Sequence, residues 1–94
     1  MNPITTIQQL GGMGRLSAMI GAHSFVTGPD SLTFKWKVQS RANCVRIILD
    51  RDLYNLSFLK IRGTTVREVS TVEMVDSIAL KSVFERETGL FLSL

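Results

Sequence analysis

The chain is poor in the residues that most chemistry needs. It has one cysteine, Cys44, and one histidine, His23, in 94 residues. A lone cysteine cannot close an internal disulfide, and with one histidine it cannot complete a common zinc ligand set. Such usage suits a reducing compartment. Catalysis by a histidine with an orienting partner has no second histidine to draw on. Long apolar runs are also missing. The longest is a few residues, against roughly 20 for a membrane-spanning helix. The opening stretch MNPITTIQQLGGMGRLSAMIGA lacks the basic start and continuous apolar core of a signal peptide. These absences predict a soluble protein with no cofactor, no metal and no enzymatic centre.

What is present is enough for one small domain. Hydrophobic residues make up 45% and charged residues 20%, an ordinary globular balance. A chain of this length buries roughly 60–65% of the surface its unfolded form exposes, so its core is modest. The net charge of +3 is unevenly spread. Residues 1–30 carry Arg15 and Asp30, for 1 − 1 = 0. Residues 31–67 carry eight Lys or Arg against Asp50 and Asp52, for 8 − 2 = +6. Residues 68–94 carry two against five acids, for 2 − 5 = −3. Such asymmetry bears on partners and association, not on fold.

Periodicity organises the chain. Pro3 with Ile4, Ile7 and Leu10 predicts a short helix over 3–10, stopped by Gly11, Gly12 and Gly14. Residues 15–21 and 24–27 read as weak strands, with a turn at Gly28-Pro29-Asp30. Leu32, Phe34, Trp36 and Val38 alternate with polar residues, which predicts a half-buried strand over 31–38. Further strands are expected at 44–49, 53–62 and 64–69. In the second of these the apolar set changes face, which suggests a bulge near Phe58–Leu59. Ser70 and Glu73 have the spacing of a capping box, so a helix is expected there, with Val75, Ile78, Ala79, Val83 and Phe84 inward and a stop at Gly89. The apolar end LFLSL is expected to dock or to add a strand. The expected class is α+β: a small antiparallel sheet of four or five strands packed against a C-terminal helix and a short N-terminal helix.

Most candidate chemistry has a structural account. Cys44 lies within an apolar strand, where a thiol is inert. Asp50 and Asp52 flank Arg51 in a turn. The G-G-M-G run at 11–14 has no preceding strand and no following Lys-Ser or Lys-Thr, so it is a turn and not a phosphate loop. The feature above background is a basic sheet. Lys35, Lys37 and Arg46 are expected on its open face, with Lys60, Arg62 and Arg67 joining them or not according to the bulge. Such a surface tracks phosphates with little sequence preference. Trp36 and Tyr54 are candidate stacking groups for bases.

Several segments together resemble a known family. SAMIGAHSFV, SLTFKWK followed by SRANCVRIIL, DLYNLSFLKIRG and the terminal FERETGLFLSL resemble short proteins of bacteriophages and other mobile elements, over roughly residues 15–94. That family has no established activity. Cys44 and Arg46 stand where such proteins would be expected to carry an aromatic residue and a lysine. The resemblance implies an accessory protein acting in the cytoplasm of a bacterial host. The expected function is non-enzymatic nucleic-acid binding, of single-stranded DNA with little sequence specificity, through Lys35, Lys37, Arg46, Lys60, Arg62, Trp36 and Tyr54. The alternative is a protein-binding inhibitor of a host nuclease or defence complex. A third expectation is assembly of copies through LFLSL. No membrane partner is expected.

Overall fold

A computed structural model describes residues 1–92. Five strands run in chain order as an antiparallel meander: β1 (His23–Thr27), β2 (Ser31–Lys35), β3 (Cys44–Asp50), β4 (Leu53–Arg62) and β5 (Thr65–Val75). Before them come helix α1 (Pro3–Gln9) and a short helix α2 (Met13–Arg15) that continues as a π-helical turn over Leu16–Ile20. Helix α3 (Leu80–Thr88) follows. The class is α+β, as the alternation predicts.

Register explains the core. Phe34, Val45, Phe58 and Ser70 form one cross-strand row, and Leu32, Ile47, Leu56 and Val72 the next. The apolar members of these rows point to the helices. There Phe84 of α3 sits against Phe34, Trp36 and Phe58, with ring centroids 6.1, 5.2 and 6.0 Å away. Ile7, Leu10, Leu16, Ile20, Leu80 and Leu92 join the cluster. Helices therefore cover one face of the sheet and leave the other open.

Three expectations are corrected. Residues 15–20 are helical, because Leu16 and Ile20 must both reach the core from one side, and Gly21 (φ 66°) then turns the chain into β1. The strand expected over 64–69 runs on to Val75, so Ser70 and Glu73 are not a capping box. Thr71 and Val72 are β-branched, and β4 offers Leu56 and Tyr54 as partners for Val72 and Val75. Helix α3 therefore starts only at Leu80, and Ile78 is 92% exposed. The bulge expected near Phe58–Leu59 is present, but its extra residue is on β5 and not on β4: Val69 is extra between the pairs Phe58–Ser70 and Leu59–Glu68. β4 alternates without interruption, so Leu59 and Ile61 lie on the open face. In the C-terminal LFLSL, Leu92 is fully buried in this chain's own core. The final two residues of that segment lie outside the described residues.

Candidate nucleic-acid interface

The antiparallel meander sorts the charges by sheet end. Lys35 ends β2, Lys37 and Arg41 lie in the β2–β3 connection, and Lys60, Arg62 and Arg67 flank the β4–β5 turn. All lie at one end of the sheet, joined there by Glu68, for 6 − 1 = +5 on the strands and their connections. The opposite end holds Asp30, Asp50, Asp52, Glu73 and Asp76 against Arg51, for 1 − 5 = −4. The ten residues of β4 put the two ends about 30 Å apart, at roughly 3.3 Å per residue.

The basic end is divided between the two sides of the sheet. Lys35 and Arg46 project from the open face as diagonal neighbours, since Lys35 pairs with Cys44 and Thr33 with Arg46. Around them Val26, Cys44, Leu59, Ile61 and Val66 line a broad open groove of about 510 Å³. Lys60 and Arg67 stand opposite each other and, with Arg62 and Thr65, line a notch of about 240 Å³ at the end of the hairpin. By strand alternation this notch is on the helix side. Lys37 is exposed beyond the end of β2, its amide donating to the Ile20 carbonyl at 3.0 Å. The six cationic positions expected from the sequence thus share an end of the sheet or its approach, not a single face.

Three features hold this end in shape. The Asn43 side chain continues the ladder beyond β3: its Nδ2 donates to the Ile61 carbonyl and its Oδ1 accepts from the Ile61 amide, both at 2.8 Å. Lys60 Nζ donates to the Ser40 carbonyl at 2.9 Å, and Ser40 Oγ accepts from Trp36 Nε1 at 3.2 Å. Arg41 donates to the Glu87 carbonyl at 2.6 Å, satisfying an orphan acceptor at the end of α3. Among the described residues the ion pairs are Met1–Asp30 and Arg86–Glu87, and neither uses a cation of this end.

The expected stacking groups are not on the surface, which corrects that part of the sequence reading. Trp36 is 3% exposed and Tyr54 5%. Trp36 packs edge-on to Phe84, and the Tyr54 hydroxyl donates to Gln9 Oε1 at 2.8 Å and lies 3.2 Å from Thr6 Oγ1. Both point to the helix layer, where large rings fill the modest core. Arg67 and Thr65 belong with the basic end. The signal was available, because a two-residue turn at Gly63-Thr64 sets Arg62 against Thr65 and Lys60 against Arg67.

The remaining reactive side chains have local roles. Burial pushes the Cys44 thiol above its usual pKa, and neighbouring Lys35 pulls it partly back. The His23 ring shares a 2.7 Å hydrogen bond between Nδ1 and the hydroxyl of its chain neighbour Ser24, on an exposed bulge. Among the described residues no helix is long and apolar enough to cross a membrane. Comparison with protein-family models, curated proteins and solved structures finds no match.

Proposed function

We propose that the chain is a non-enzymatic nucleic-acid-binding protein that holds the phosphate backbone at the basic end of its sheet, with little sequence preference. One observation carries this: six lysines and arginines gather at that end, and none is neutralised by a described carboxylate. Phosphates release counterions from such a surface on binding. Bases contribute little, since Trp36 and Tyr54 are inside. Single-stranded DNA is the favoured partner because the cations lie on both sides of the sheet end. A single strand can follow them around that end, whereas duplex DNA, with a persistence length of about 50 nm, resists such bending.

The test is binding of fluorescent single-stranded and duplex DNA over a salt series. At roughly −0.7 per neutralised phosphate, engagement of all six cations gives a slope of log affinity against log salt of about −4 for single strands. No binding at low salt, or binding indifferent to salt, overturns the proposal.

A second reading, a protein-binding module directed at a host nuclease or defence complex, is favoured by the open sheet face. Val26 and Val66 are 64% and 60% exposed there, beside half-buried Ile48, Leu59 and Ile61. Capture of a partner from host lysate that survives nuclease treatment, and is lost on Leu59→Lys, supports this reading over the first.

A further inference from the structure

The notch at the β4–β5 turn has a chemistry narrower than that of the basic end as a whole. Its lining is Lys60, Arg62, Thr65 and Arg67: three cations, one hydroxyl and no carboxylate. Lys60 and Arg67 are direct cross-strand partners, and like charges placed so are unfavourable on a ladder. A position that breaks a local rule with no internal compensation is where a ligand is expected to supply it. The missing compensation here is an anion.

Size and preorganisation limit which anion. Pockets for whole small molecules run about 300–1,000 Å³. At about 240 Å³ the notch suits a phosphate group with little of the nucleoside attached. Its donors are partly fixed in advance, since Lys60 is tethered to the Ser40 carbonyl and Ser40 to Trp36. Two guanidinium groups can each offer a planar fork to phosphate oxygens. An internal phosphodiester carries one charge and has a chain leaving on both sides. A terminal monoester carries about −1.5 to −2 at neutral pH and presents three free oxygens.

We infer that this notch takes the terminal phosphate monoester of a nucleic-acid strand. This rests on the nucleic-acid reading above and gives that site an end preference. Lys35, Lys37 and Arg46 then follow the diesters further along, and the terminal phosphate sets where the strand begins.

The experiment uses the full chain and short single-stranded oligonucleotides of one sequence, carrying a 5′-phosphate, a 3′-phosphate or hydroxyls at both ends. One phosphorylated form is expected to bind about tenfold tighter than the hydroxyl form, the scale of a charge-assisted contact. Inorganic phosphate should erase that difference while leaving the hydroxyl-ended oligonucleotide bound. Arg67→Gln and Arg62→Gln should each remove most of the preference; each also weakens the hydroxyl-ended oligonucleotide and lowers its salt slope by about 0.7, the share of one cation in six. Both positions are exposed, and a circular dichroism melt verifies folding. Arg67→Lys keeps the charge and loses the fork, so a reduced preference there assigns the contact to the guanidinium. Equal affinities for the three oligonucleotides overturn the inference and leave backbone binding standing. Absence of binding to all three at low salt overturns both.

Discussion

Lys60 and Arg67 stand directly opposite each other on β4 and β5, and among the described residues neither has a carboxylate within 4.0 Å. Both side chains share the helix-side surface beyond the last core row, where Phe58 pairs with Ser70. The fold brings them together without relieving their repulsion. That separates stability from binding at this site.

Arg67→Glu should therefore act in opposite directions on the two. It replaces a like-charge pair with an opposite-charge one, so stability should rise by about 0.5 kcal/mol, reduced in salt because the site is exposed. DNA affinity should fall at the same time. Thermal melts at low and high salt, run beside the binding assay, check both signs.

Asn43→Ala should weaken the whole basic end. It removes two 2.8 Å hydrogen bonds to the backbone of Ile61, which β3 no longer pairs. The expected cost is about 1–3 kcal/mol, read from urea denaturation. Amide exchange should speed up at Ile61 and Arg62 more than at Leu56, because the loss is local.

The β3–β4 turn should be improvable. Arg51 and Asp52 have φ of 52° and 66°, a left-handed pair that Asn-Gly adopts with less strain. Arg51→Asn with Asp52→Gly is expected to stabilise the domain by about 1 kcal/mol, seen as a higher urea midpoint at unchanged slope. The turn lies at the acidic end, so DNA binding should hold.

Tyr54→Phe removes the buried hydroxyl shared with Gln9 and Thr6. The expected loss is about 1–2 kcal/mol of stability, with DNA affinity unchanged, because the ring is inside. A large loss of binding by the folded variant would contradict the placement of Tyr54 in the core.

Cys44 sets a dependence on alkaline pH. Burial raises the folded thiol's pKa, so the unfolded chain ionises first, at about 8.5. The stabilisation is fully present below that value and is lost as pH rises through the folded value. Cys44→Ala should flatten this decline in urea midpoints measured between neutral and alkaline pH. Thiol-reagent labelling of the native protein should be slow and should quicken on unfolding.

The sequence by itself determined the class of fold and most strand positions. Alternation at Leu32, Phe34 and Trp36, and again at Tyr54, Leu56 and Phe58, is a local property that survives folding, since a strand's two faces are set by its own pleat. The basic character of residues 31–67 was equally legible. Tertiary structure decided the rest. Pairing with β4 held residues 70–75 in the sheet against a local helix signal, because Leu56 and Tyr54 gave Val72 and Val75 partners. Burial claimed Trp36 and Tyr54, since a small core needs its largest rings. The charges were gathered by sheet end and not by chain third, because each reversal of an antiparallel strand returns the chain to the end it left. That is how Lys35, Lys60 and Arg67, far apart in sequence, share the basic end of the sheet.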